Sequence, residues 1–266
     1  MRFPAPTRRP VLSRWRYGWI LEVAIGVGLY LLYDELRSAA AGSATVALRN
    51  GLDVVRWERA LGLYQEYRVQ QAFLHHHVVL SLANIYYGTV HFVVPVIALI
   101  LLWRRAPERY VRWRTTLLVM LAIALVMFWL YPLNPPRLMP ARFGFVDTAA
   151  EYFNFGPQQR IVVVRGIPTA ASRAAFGNLF AAMPSLHVGW STWSALAMLP
   201  VLRRRWTKVL VVVDPVLTVF VIVVTANHWI LDAVAGWAVL GVSWLLVVTI
   251  SAMRDRSSAP GLVSAN

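Results

Sequence analysis

Apolar residues run along this chain in blocks. Crossing a hydrocarbon core takes about 17–25 mostly apolar residues. Six stretches approach that length, at about residues 18–33, 77–103, 115–131, 187–202, 209–226 and 229–252. The pattern predicts an all-α, polytopic membrane protein with six transmembrane helices. It divides into a basic segment over 1–17, one membrane domain over 18–252, and a tail over 253–266 in which SSAPGLVSAN reads as disordered. No repeat is evident and no stretch is left over for a soluble domain. The first block follows RRPVLSRWRYG, lacks a small-residue cleavage site and carries Glu22, so it reads as an uncleaved anchor. Between the first two blocks, LDVVRWERALGLYQEYRVQQ predicts a helix lying at the membrane interface, with Leu52, Val55 and Leu63 among its apolar anchors.

Composition agrees with dissolution in lipid. Of the 266 residues, 58% are hydrophobic and only 14% charged, with a mean hydropathy of +0.55. Aromatic wealth, with 12 tryptophans and 10 tyrosines, suits interfacial belts. Cysteine is absent, which excludes disulfides and thiolate catalysis. The net charge of +14 invites a nucleic-acid partner, but the basic residues sit in short segments between apolar blocks, not on a soluble face. They set orientation instead. Arg2, Arg8, Arg9, Arg14 and Arg16 precede the first block, and Arg104, Arg105, Arg109, Arg112 and Arg114 join the second and third. Arg203, Arg204, Arg205 and Lys208 join the fourth and fifth, and Arg254 and Arg256 follow the sixth. In a six-span chain all of these fall on one side. Both termini are therefore expected in the cytoplasm, with the long connections 34–75 and 132–186 outside a plasma (inner) membrane.

That topology assigns polar groups to membrane faces without reference to chemistry. AAMPSLHVGWS puts Ser185 and His187 at the outer end of the fourth block, with Pro184 as a helix-start residue. TANHWILDAVAGW puts His228 and Asp232 at the outer end of the sixth, and YPLNPPRLMP puts Arg137 just outside the third. All converge on one face. His228 and Asp232, four apart, share one side of a helix. The carboxylate can fix the imidazole tautomer and raise the basicity of the other nitrogen, as a nucleophile needs. A second histidine supplies a proton donor for a leaving oxygen. Serine and arginine supply donors for phosphoryl oxygens, which arginine's planar fork binds in pairs. Two imidazoles acting on one phosphorus should lie on the order of 5 to 8 Å apart.

PSLH followed by HWILD, with PPR upstream, resembles the three-part signature of the type 2 phosphatidic acid phosphatase superfamily of membrane phosphatases and lipid phosphotransferases, which have a six-helix core. The form YPLNPPRLMP, with WERALGLYQE and NIYYGTVH upstream, resembles the bacterial relatives of inositol phosphorylceramide synthase within it. The likeness covers about residues 54 to 240. The lysine that the phosphatase branch carries before the arginine of its first motif has no counterpart here, which fits the synthase-like branch. The resemblance implies that His228 attacks phosphorus to form a phosphohistidine, oriented by Asp232. It implies that His187 protonates the departing alcohol and then deprotonates the acceptor, that Arg137 and the Ser185 hydroxyl and backbone hold the phosphoryl oxygens, and that no metal or other cofactor is required.

Further polar positions have two readings each. Asn84, Tyr87 and His91 share one face of the second block, for helix–helix hydrogen bonding or for contact with a substrate headgroup. Glu58 and Glu66 resemble positions of the synthase-like branch and would bind acceptor hydroxyls, or else stand on a solvated surface. Asp214, before Pro215, reads as a hydrogen bonder at a helix kink. The run His75 to His77 does not read as a metal site, because adjacent helical residues point in different directions. The chain is thus expected to be a membrane enzyme acting on a lipid donor, with an inositol-type polyol or glycolipid as acceptor. Water as acceptor would make it a lipid phosphatase. A transporter, the third reading, requires polar groups continuing to the cytoplasmic side.

Overall fold

The computed structural model describes residues 18–40, 42–149, 163–164, 167–168 and 178–257. Among the described residues eight helices carry the fold: α1 (Gly18–Ala39), α2 (Ala44–Ala60), α3 (Glu66–Phe73), α4 (His77–Arg105), α5 (Pro107–Leu130), α6 (Leu186–Met198), α7 (Arg205–Val224) and α8 (Ile230–Ser257). Two 3-10 turns, Pro136–Leu138 and Ala141–Phe143, follow α5. The departures from all-α among the described residues are small: a ribbon of two paired residues on each side, Val163↔Pro168 and Val164↔Ile167, and a single parallel bridge between Leu133 and Ala181. The basic segment 1–17 and the end of the tail, 258–266, lie outside the described residues; α8 itself continues past the expected boundary at 252.

Four helices among the described residues are long and apolar enough to cross a membrane: His77–Arg105, Pro107–Leu130, Arg205–Val224 and Ile230–Asp255. They turn large apolar side chains outward, such as Leu82, Val93, Val126, Val216 and Leu245. This is an all-α integral membrane protein. The other two expected blocks behave differently. The block at 187–202 yields only the 13 residues of α6, about 20 Å of helix against a core of about 30 Å. Much of its apolar run packs inside the protein. α6 is the central helix, packed against α4, α5, α7 and α8, with most of its residues buried, from Val188 through Trp193 to Met198. α1 is long, but its apolar run is interrupted by Glu22, Asp34 and Glu35. Glu22 pairs with Arg114 and accepts from the Tyr110 hydroxyl at 2.9 Å, which ties α1 to α5.

The connection between α1 and α4 is not one interfacial helix. Gly62, in the left-handed region at φ +71, breaks it into α2 and α3. Ala47, Gly51, Val54, Val55 and Glu58 recur at the helical period and are buried. They face protein: Val54 and Val55 pack with Leu133, Met139, Ala182 and Trp229. α2 and α3 therefore roof the end of the bundle where α6 and α8 begin. The α4–α5 and α6–α7 turns meet at the opposite end, around a cavity of about 620 Å³ lined by Arg105, Arg109 and Arg203.

α6 and α8 approach closely because neither has a side chain at the crossing. A Cβ built on Gly236 would fall 2.4 Å from the Ser185 carbonyl oxygen, and one on Gly189 would press Met120 at 3.1 Å. The gap is too small for any side chain at 236. This crossing brings PSLH against HWILD.

Candidate active site

α8 starts just after His228, and its first turn is held by its own acid. The Trp229 amide donates to Asp232 Oδ2 at 3.0 Å. The same oxygen lies 3.2 Å from His228 Nδ1, which is also 2.9 Å from the Ala182 carbonyl. Both neighbours of Nδ1 are acceptors, so Nδ1 carries the proton and Nε2 presents its lone pair. Asp232 is fully buried and His228 is 4% exposed. Water does not compete for this couple. The chain reaches His228 through a tight turn in which Ala226 takes φ +54 and the Asn227 and His228 amides both donate to the Ile222 carbonyl.

His228 Nε2 faces His187 Nδ1 at 3.3 Å. The ring centroids stand 5.3 Å apart, inside the expected 5 to 8 Å, but the facing nitrogens touch and leave no room for phosphorus. A substrate must part them. His187, on the first turn of α6, is clamped on its other side by the face of α4: Tyr87 stacks on it at 4.1 Å and 16°, and His91 lies at 4.0 Å. His187 Nε2 is buried without a hydrogen-bond partner. Of the three α4 positions, then, Tyr87 and His91 meet the histidine pair directly. Asn84 does not: its amide donates to the Leu80 carbonyl at 2.9 Å and to Thr148 Oγ1 at 3.1 Å.

Ser185 caps α6, preceded by Pro184 in a cis peptide. Its backbone amide donates to the Asp232 carbonyl at 2.9 Å. This hydrogen bond joins the two motifs. The hydroxyl is buried and unpartnered. Arg137 donates from its backbone amide to the Ala226 carbonyl at 2.9 Å, so the third motif is tied to the histidine turn. Its guanidinium pairs with Asp147 at 2.9 Å, both side chains about one-fifth exposed.

Glu58 and Glu66 are on no solvated surface. Both are fully buried. Glu66 accepts from the Ile230 amide and Glu58 from the Leu231 amide, each at 2.8 Å. They lie behind the histidine pair, on the start of α8. Asp214 stands apart from this site. It meets the Tyr86 hydroxyl, which also lies 3.0 Å from Thr218, and so binds α7 to α4 beside Pro215.

Several residues that build the site carry no motif. Trp229 donates to the Asn134 carbonyl at 2.8 Å and stacks on Tyr64. Gln70, fully buried, exchanges two hydrogen bonds with the backbone of Val146, at 2.8 and 3.0 Å, next to Asp147. Nothing in local spacing marks Asp147 as the partner of Arg137. The Ala182 carbonyl, being backbone, leaves no trace in residue type.

A helical membrane bundle with two facing histidines, a buried aspartate on one of them and an arginine tied to the same turn defines a class of membrane proteins suited to phosphoryl chemistry. The PAP2 superfamily family model matches residues 52–246, well over half the chain, and the protein belongs to that superfamily. The matched region runs from the second half of α2 through most of α8 and leaves out α1. Membership supports an enzyme of the phosphatase or phosphotransferase type acting on lipid phosphates. No curated protein and no solved structure gave a significant match.

Proposed function

We propose that the protein is a lipid phosphotransferase of the inositol phosphorylceramide synthase-like branch, working through a phosphohistidine on His228. The observation that carries the reading is the orientation of His228: Nδ1–H is held by Asp232 and Ala182, and the free lone pair on Nε2 points at His187 Nδ1. In the first step Nε2 attacks phosphorus, an N–P bond forms, the donor's P–O bond breaks, and protonated His187 gives its proton to the departing alkoxide. Asp232 stabilises the imidazolium so formed. In the second step His187 takes the acceptor's hydroxyl proton as that oxygen displaces His228 from phosphorus. Arg137, the Ser185 hydroxyl and the N-terminus of α6 hold the phosphoryl oxygens, and Arg137 leaves Asp147 to do so. No step calls on a metal.

Burial of the couple under α2 and α3 favours an alcohol acceptor over water, because a shielded phosphohistidine is protected from hydrolysis. Purified protein given labelled phospholipids should transfer label to a phospho-polyol or a new lipid when inositol or another polyol is supplied. Release of free phosphate at the same rate with and without polyol would instead identify a lipid phosphatase, and no turnover with any donor would leave the transporter reading.

In this proposal α1 and α6 complete six spans, α2 and α3 lie at the membrane interface, both termini are cytoplasmic, and the site opens to the outside of the plasma membrane. The arginine-lined cavity at the far end of the bundle supports that orientation. The chain has no cysteine, so single replacements report cleanly. In intact cells Ala141→Cys should react with an impermeant thiol reagent and Lys208→Cys only after lysis. The opposite pattern would invert the protein.

A further inference from the structure

The start of α8 is gripped by three carboxyl groups that reach it from different elements. Asp232 closes on the Trp229 amide from within the helix, Glu66 of α3 takes the Ile230 amide, and Glu58 of α2 takes the Leu231 amide. Three successive N–H groups that a helix leaves unsatisfied are thereby each given an acceptor. Two of those acceptors come from the roof, 173 and 164 residues away in the chain. Because the Ile230 and Leu231 amides are adjacent, the two glutamates are brought side by side, and each carboxyl acts on the other's charge state. The second oxygen of each, Oε2, is buried and meets no other donor.

Charge decides what lies between those oxygens. The N-terminus of a helix presents roughly half a positive charge, and Asp232 already occupies its first turn. Ionising both glutamates as well would set three buried carboxylates on one helix end. The other titratable groups facing the pair are His228, held through Asp232, and Tyr64 of the α2–α3 turn with Arg59 from the last turn of α2, whose guanidinium lies 4.9 Å from the phenol ring. Arg59 is drawn to Tyr64, on the outer side. A proton between the two Oε2 atoms removes one charge and gives both oxygens a partner.

We infer that Glu58 and Glu66 share one proton and, as a singly charged clamp on the first amides of α8, position the His228–Asp232 couple. The glutamates are positioning residues: they touch the helix that carries the reacting groups, and not the reacting groups themselves. Burial, and then the Glu66 carboxyl, push Glu58 up to about 9; burial pushes Glu66 up as well. The sign follows. A carboxyl that holds its proton in the fold and loses it in the unfolded chain adds stability below the ordinary carboxylate range, and this contribution is lost as pH rises toward about 9. Above that, two adjacent anions repel and the clamp opens. Activity should therefore fall on the alkaline side as α8 loses its grip.

Glutamine replaces the shared proton with an amide that still accepts from the helix and donates to the remaining carboxylate. The test compares Glu58→Ala, Glu58→Gln, Glu66→Gln and the double glutamine variant with the parent protein in detergent. Hydrogen exchange at residues 229–232 and the unfolding midpoint from pH 5 to 9.5 are measured without substrate. Turnover is measured across the same range. Glu58→Ala should lose protection at these amides and on the order of 10- to 100-fold in turnover, as removal of orienting partners does. Glu58→Gln should restore the protection and most of the turnover, with its midpoint falling less between pH 5 and 9 and its alkaline limb absent. The double variant, which leaves the two-residue clamp with no negative charge, should lose protection again, so the comparison survives if the alanine protein does not fold. The inference is overturned if Glu58→Gln loses protection and turnover as fully as Glu58→Ala, or if the pH dependence of the midpoint is the same in both parent and Glu58→Gln. The turnover arm rests on His228 as nucleophile; the exchange and midpoint arms do not, so failure of the phosphotransferase reading would leave them standing.

Discussion

His228→Ala is expected to abolish turnover of every phosphorylated substrate, by at least about 10⁴-fold, the scale on which removal of a covalent nucleophile is felt. The geometry leaves no substitute. His187 Nδ1 already spends its proton on His228, its Nε2 is buried between the rings of α4, and Asp232 has its Oδ2 engaged by Trp229 and His228. The decisive measurement is a phosphoenzyme trap. Parent protein quenched during turnover should carry acid-labile, base-stable phosphate, and His228→Ala should carry none. Asp232→Asn should fall between the two. It keeps the shape, but an amide that turns its NH₂ toward Nδ1 favours the tautomer whose lone pair points the wrong way. Label on His187 in the His228→Ala protein would mean that the two histidines have exchanged roles.

Legibility along this chain follows how local the determining interactions are. His228 and Asp232 are four apart on one helix, so their pairing could be read from spacing alone. His187 and Arg137 could be placed on the same face because apolar block lengths and arginine-rich turns report topology. Contacts between distant segments could not be read. Asp147 on Arg137, Ala182 on His228 and the Ser185 amide on the Asp232 carbonyl depend on how the motifs meet, and that meeting depends on two glycines, Gly189 and Gly236, which look ordinary in a membrane helix. Block length does not separate burial from lipid exposure: much of the apolar run of α6 packs against α4, α5, α7 and α8, and a buried central helix and a lipid-facing span have the same composition. Glu58 and Glu66 misled, since charged residues on an amphipathic stretch ordinarily face water. Here they reach inward to a helix end whose amides supply what water would have supplied.

His187→Ala is expected to discriminate between donors by their leaving groups. With a lipid donor the departing oxygen is an alkoxide, which must be protonated as the P–O bond breaks; removing the acid should cost on the order of 100-fold or more. An aryl phosphate such as p-nitrophenyl phosphate leaves as a stabilised phenolate, so provided it enters the site its first step should suffer far less. The substitution also takes away the ring that fills the space in front of His228 Nε2 and lies against Tyr87 and His91. An activated donor should therefore reach the nucleophile at least as readily as in the parent. The second step is where the loss returns, because an alcohol acceptor needs its proton removed and the base is gone. The two effects together predict accumulation: His187→Ala given an aryl phosphate should release one equivalent of phenol in a burst and then stall as phosphohistidine, and an external base such as imidazole should speed its turnover. A uniform loss with lipid and aryl donors, without burst or trapped label, would show that His187 positions the phosphoryl group or shapes the site, and does not move the proton.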